Sequence, residues 1–290
     1  MYIGRIMGVN LRVHYLFLLP LLAWALSGQL LQGLLSFLAV LLHELGHLNA
    51  ARSQGLTPKE VMLLPFGGVA TLEESLEFDP RSEMRVALAG PGTNLLLIGV
   101  VVIGRGILGP HHLLDHFLQI NIVLAFFNLL PALPLDGGRI YRAYLVQEHG
   151  YRAGTIRAVR LSRLCSLLFL ALGIGLCLFL DTLGLNFLLM SFFLLISSQR
   201  VLRQSPYQLL SYLSRKQREL ARLGRMSAVT LVVSADCAGS DILDQLVPQR
   251  YHLFWVVDRQ GRIQGVLSEQ QVVQAIFDRG LDITLRQILD

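Results

Sequence analysis

The 290 residues are 53% hydrophobic and only 16% charged, with a mean hydropathy of +0.54, too apolar for an ordinary soluble domain and pointing to a membrane protein. The three cysteines, Cys165, Cys177 and Cys237, form no CxxC pair and no even-numbered framework, which excludes a disulfide scaffold and a cysteine zinc ribbon and suits a reducing, cytosol-facing context. The net charge of +5 is carried almost wholly by arginines beside apolar runs, so it reports membrane orientation, and no direct nucleic-acid binding is expected.

A spanning helix needs about 20 predominantly apolar residues. The chain offers six such stretches, near 14–32, 33–51, 85–104, 113–131, 164–180 and 184–199, so the expected fold is a polytopic α-helical membrane protein. The first stretch has no small-residue cleavage site behind it and reads as a retained span. With the N-terminus placed in the cytosol, one side of the membrane receives Arg5, Arg12, Arg52, Lys59, Arg81, Arg85, the arginines from Arg139 to Arg163, and everything from Arg200 onward. The other side receives Arg105 alone. Positive loops resist translocation, so both termini are expected in the cytosol.

Three domains follow. Residues 1–199 form the membrane domain. Residues 200–225 place Leu209, Leu210, Leu213, Leu220 and Leu223 among Arg and Lys at helical spacing, giving either an amphipathic helix on the anionic inner leaflet or a plain connector. Residues 226–290 change character to strand, helix, strand, strand, helix, a small soluble α/β domain on the cytosolic side.

The chemistry centres on HELGH, with His43, Glu44 and His47 in the second span. Histidines at i and i+4 rise about 6 Å on one helix face, so both can reach one Zn²⁺, and the intervening Glu can act as base toward an activated water. Ionisable groups in an apolar helix cost about 2.5–3.5 kcal/mol each, and a metal beside a water cavity repays that cost. Catalytic zinc takes three protein ligands and an open position. Among the acids of the later spans, Glu83 lies at an entry, Asp115 and Asp181 near the outer face, and Asp136 in NLLPALPLDGGR follows the fourth span on the same side as HELGH. Pro131 and Pro134 break the helix ahead of Asp136, and Gly137 and Gly138 are expected to let the chain turn close past the metal. Residues 60–73, EVMLLPFGGVATLE, read as two extended runs around Phe66, Gly67 and Gly68, either a hairpin able to pair with a substrate strand or a loop packed under the site. In AGPGTN of the third span the small residues permit close helix approach and Asn94 could hydrogen-bond across that interface, with packing favoured over direct participation in the chemistry.

HELGH, LPFGG at Leu64 to Gly68, AGPGTN at Ala89 to Asn94 and NLLPALPLDGG together resemble the site-2 protease family of intramembrane zinc metalloproteases. The six-span order and C-terminal domain are similar to its sporulation branch, in which a cystathionine-β-synthase-type (CBS) domain follows the membrane part. The resemblance implies one zinc held by His43, His47 and Asp136, Glu44 as general base, and Asn128 beside the active site, holding substrate or its oxyanion. It implies cleavage of a membrane-associated transcription-factor precursor, a pro-sigma factor, in a bacterial cell membrane or the forespore membrane, with inhibitory membrane partners. The CBS-like domain would bind ATP or another adenine nucleotide, or serve instead for homo-oligomerisation or substrate docking. His14 is followed by Tyr15 where family members often carry His-Pro, and it reads here as an interfacial histidine. The competing functions are a membrane zinc transporter and an inactive membrane scaffold. One-sided metal residues with no second polar site argue against the first, and an intact His43, Glu44, His47 and Asp136 against the second.

Overall fold

Runs of Leu, Val, Ile and Phe broken by few polar residues make helices the default, since lipid leaves backbone N–H and C=O groups no partner but their own helix. The computed structural model describes residues 2–6, 9–13, 15, 18–56, 58–64, 67–72, 79–179, 184–203, 220, 224–246, 250–280 and 282–289. Its helices are α1 (Leu18–Leu26), α2 (Leu30–Ser53), α3 (Pro80–Leu108), α4 (His112–Asn128), α5 (Asp136–His149), α6 (Tyr151–Phe179) and α7 (Gly184–Arg203).

Four of these, α2, α3, α6 and α7, are long and apolar enough to cross a membrane. Leu95, Leu96, Ile103, Leu167, Leu168 and Phe192 are more than half exposed on them, an outward apolar surface that lipid satisfies and water does not. This is an integral membrane protein. The two remaining expected spans are shorter than their apolar stretches suggest. At 1.5 Å per residue, α1 with its nine residues covers about half of the ~30 Å hydrocarbon core, and α4 with 17 residues covers about 25 Å. The fifth expected span, in contrast, is the C-terminal part of a helix that begins at Tyr151.

Packing is tied by small and polar residues. Ser166 Oγ donates to the carbonyl of Ser191, and Ser191 Oγ to that of Ser166, both at 2.8 Å, riveting α6 to α7. Phe169 stacks on Phe187 one turn further along. Helix α3 starts where Asp79 accepts from the Ser82 N–H and Pro80 takes the first turn. It then packs against α2, α4 and α5.

A four-stranded sheet lies with this bundle, in the order β1 (Tyr2–Ile6), β2 (Val9–Val13), β3 (Pro58–Leu64), β4 (Gly67–Leu72). Strands β1 and β2 are antiparallel, β2 and β3 parallel across the α1–α2 crossover, and β3 and β4 an antiparallel hairpin with Leu63 opposite Gly68. The hairpin expected at 60–73 therefore forms, and β4 is an edge strand touching α2. The strands at 2–13 answer to no sequence expectation.

The C-terminal part contains β5 (Ala228–Ser234), α8 (Gly239–Gln245), β6 (Tyr251–Val257), β7 (Ile263–Ser268), α9 (Glu269–Arg279) and α10 (Leu285–Leu289). Strand β5 runs parallel to β6, and β6 antiparallel to β7. Ser268 caps α9 in a reciprocal box with Gln271. The core of Ile242, Phe254, Val256, Leu267 and Leu285 also takes in Val146 and Tyr151, so the domain is seated on the α5–α6 elbow. The linker helix expected at 200–225 falls on α7 as far as Arg203 and otherwise almost entirely outside the described residues, as do His14 and Phe66.

Candidate metal centre

Helix α2 carries His43 and His47 one turn apart, both under 8% exposed. Their rings stand nearly perpendicular, at 87°, and their Nε2 atoms approach to 3.1 Å. Asp136, the first residue of α5, brings Oδ2 to 3.2 Å from His43 Nε2 and 3.1 Å from His47 Nε2. Glu44 is buried beside His43. No other group of three or more His, Cys, Asp or Glu among the described residues converges in this way.

The outer ring nitrogens decide what the inner ones can do. His47 Nδ1 donates to the Val86 carbonyl at 2.7 Å, and His43 Nδ1 donates to Asn94 Oδ1 at 2.5 Å. The Asn94 amide is itself oriented, because its Nδ2 donates to Asn121 Oδ1 at 2.9 Å, and Asn121 Nδ2 donates to the Phe117 carbonyl. Both histidines are thus held in the tautomer that keeps the proton on Nδ1. Two Nε2 lone pairs and a carboxylate oxygen then face one point, three acceptors without a donor, and Asp136 Oδ2 is buried with no hydrogen-bond partner among the described residues. A cation resolves this arrangement. Ligand atoms around tetrahedral zinc at about 2.0–2.1 Å lie about 3.3 Å apart, close to the separations of 3.1–3.2 Å found here, so the residues present fit Zn²⁺.

Backbone approach makes the geometry possible. A Cβ on Gly90, in AGPGTN, would come within 3.0 Å of His47 Nε2 and of Cε1 in both rings, so a side chain there would force the imidazoles or α3 to shift. Gly137 and Gly138 directly follow the ligand Asp136. Their missing side chains admit the backbone of the chain's own Leu129–Leu133 loop. That loop is anchored where the Leu133 N–H donates to Ser162 Oγ of α6 at 2.8 Å.

The fold brings together His43, Glu44, His47 and Asp136. Asn128 ends α4, partly buried, and its side chain makes no hydrogen bond among the described residues. Gly67 and Gly68 open β4. Asn94 makes its cross-interface hydrogen bond to a histidine of the cluster. Asn121 carries no expectation from the sequence reading, although a polar side chain in the apolar run QINIVLAFF is itself a signal.

Residues 33–109 and 106–173 match the model of peptidase family M50. The chain belongs to that family. A zinc metalloprotease of Methanocaldococcus jannaschii is 27% identical over 280 residues, covering 91% of this chain and 76% of that one. Rip3 of Mycobacterium tuberculosis, classed with the zinc metalloproteases, is 37% identical over 201 residues, covering 60% of this chain and 51% of that one; this chain therefore spans about half the length of that relative. Stage IV sporulation protein FB of Bacillus subtilis is 28% identical over 270 residues, covering 91% of this chain and 90% of that one. The solved site-2 protease of M. jannaschii superposes with a TM-score of 0.54 at 29% identity, over 70% of this chain and 94% of that one. Two of these relatives are named zinc metalloproteases, and the His–His–Asp cluster suits that metal.

Proposed function

We propose that this M50 chain is an intramembrane zinc metalloprotease that cleaves a membrane-associated transcription-factor precursor, of pro-sigma type, on the cytosolic side during sporulation. The observation that carries this reading is the buried convergence of His43, His47 and Asp136, with Glu44 beside it, at the arginine-rich ends of apolar helices. The family and the sporulation name of one relative support it.

His43, His47 and Asp136 hold the zinc, which when bound polarises a carbonyl and lowers the pKa of water to about 7. Glu44 takes the proton from the attacking water and returns it to the leaving amine. Asn128 holds the substrate carbonyl. A peptide bond within a helix is shielded by its own hydrogen bonds and must be unwound. Among the described residues β4, which starts at Gly67 and Gly68, is an edge strand that suits an extended substrate segment added as a fifth strand, and Phe66 is assigned to substrate binding with these glycines. We assign residues 1–199 to the protease domain, with the apolar stretches at 14–32 and 113–131 as the remaining two of six membrane passages, 200–225 to the interfacial linker, and 226–290 to a CBS-like regulatory unit through which copies associate; inhibitory membrane partners are assigned separately. Both termini are cytosolic, in the cell or forespore membrane. Adenine-nucleotide binding by the C-terminal domain rests on the family resemblance alone.

The test is zinc content and cleavage by full-length protein in detergent, comparing wild type with Asp136→Ala. One zinc and cleavage in wild type, with loss of both in the variant, is expected. Retention of both by Asp136→Ala would overturn the ligand set.

A further inference from the structure

Among the described residues, the helical part buries one acid that the chemistry above does not use. Glu83, in the first turn of α3, is wholly buried. Its Oε1 accepts from Nη2 of Arg142, itself only 3% exposed, and lies 3.8 Å from Nε of Arg139. Arg139 reaches the third ligand, its Nη1 3.7 Å from Asp136 Oδ1, the carboxylate oxygen other than the one paired with the histidines.

The spacing is informative on both helices. Asp136, Arg139 and Arg142 follow at i, i+3 and i+6 on the side of α5 that meets α3. Glu83, Val86, Gly90 and Asn94 follow at intervals of three and four along α3. The last three of these serve the histidines directly: Val86 accepts from His47, Gly90 gives both rings room, and Asn94 accepts from His43. Glu83 is the member of that stripe that faces the third ligand's helix. A buried ion pair is no more stabilising than an apolar pair of the same volume, because desolvation offsets the attraction; what it supplies is one defined geometry.

We propose that Glu83 is a positioning residue for Asp136: by fixing Arg142 and Arg139 it sets the register of α5 on α3, so that Asp136 offers Oδ2 to the metal and Oδ1 to Arg139. The inference rests on the reading that His43, His47 and Asp136 bind zinc. Ligating carboxylates need such hydrogen-bonding or ionic partners, and their removal weakens metal affinity about 10–100-fold.

The experiment uses full-length protein in detergent and two readouts besides proteolysis: zinc affinity by competition with a chromophoric chelator, and the visible absorption of the cobalt-loaded protein, which reports ligand geometry. Wild type must first bind the metal; if it does not, the zinc reading itself falls. Given wild-type binding, Arg139→Gln, at a partly exposed site where folding is not at stake, and the charge-free pair Glu83→Gln with Arg142→Met should each weaken zinc by about tenfold or more and alter the cobalt bands, with Arg139→Lys recovering most of the affinity. A merely structural role would lower the thermal midpoint and leave both readouts at wild-type values. That result, in Arg139→Gln alone should the pair not fold, overturns the proposal and leaves the zinc reading standing.

Discussion

Asn94→Leu is the sharpest perturbation of the metal centre that touches no ligand. Asn94 is fully buried and bridges His43 to Asn121, and leucine keeps its branching and number of side-chain heavy atoms while removing both bonds. His43 Nδ1–H and Asn121 Oδ1 would then be buried without partners. At about 1–3 kcal/mol for each unmet polar group, the metal-free protein should lose about 2–6 kcal/mol. His43 would also be free to turn or to move its proton to Nε2, so zinc affinity should fall about 10–100-fold, or about 1.4–2.7 kcal/mol. Asn94→Asp keeps the acceptor for His43 and gives up only the donor to Asn121, so it should hold zinc more tightly than Asn94→Leu. Competitive zinc titration of the full-length protein, alongside thermal unfolding of its metal-free form, separates the two effects. Wild-type zinc affinity in Asn94→Leu would refute the reasoning and return Asn94 to a packing role.

Gly90→Ala should fold but bind zinc at least tenfold more weakly, since its new methyl group falls on both imidazoles; the chelator titration checks it, and unchanged affinity would show that α3 can retreat from α2. Tyr151→Ala removes a fully buried ring shared between the α5–α6 elbow and the C-terminal core and should cost about 3–5 kcal/mol. Increased protease sensitivity of the segment from 224 onward is the expected readout, and an unaltered digestion pattern would mean the domain does not depend on that seat. A reporter fused after Asp290 should be cytosolic, as the arginine distribution requires; a signal from the opposite side would overturn the orientation.

The metal centre is legible in the sequence because its ligands stand out chemically. His43, Glu44 and His47 are ionisable residues in an apolar helix, and the membrane side and depth of Asp136 single it out among the acids of the later spans. What supports the ligands is harder to read. Asn94 and Asn121 lie on different helices with nothing in the sequence to pair them, and only the crossing of α3 with α2 and α4 shows that one amide links a histidine to another amide. Gly90 has the sequence surroundings of a packing glycine, and the fold makes it space for two ligands. Arg142 reads as one more cytosolic positive charge, although its side chain is buried against Glu83. In the fold, hydropathy locates the long helices but overstates α1, because apolar content alone does not say where a helix ends. It also passes over β1 and β2, since the pairing of β2 with β3 depends on residues some 50 positions away.

The most direct measurement of the central claim is co-expression of wild type and Glu44→Gln with membrane-tethered pro-sigma-type substrates, scoring release of a shortened soluble product. The variant keeps the shape of the side chain and all three metal-facing residues while removing the base. Cleavage by wild type, with a loss of about 10²–10⁴-fold in Glu44→Gln at equal zinc content, is the predicted result. Equal cleavage by the two proteins would contradict the account.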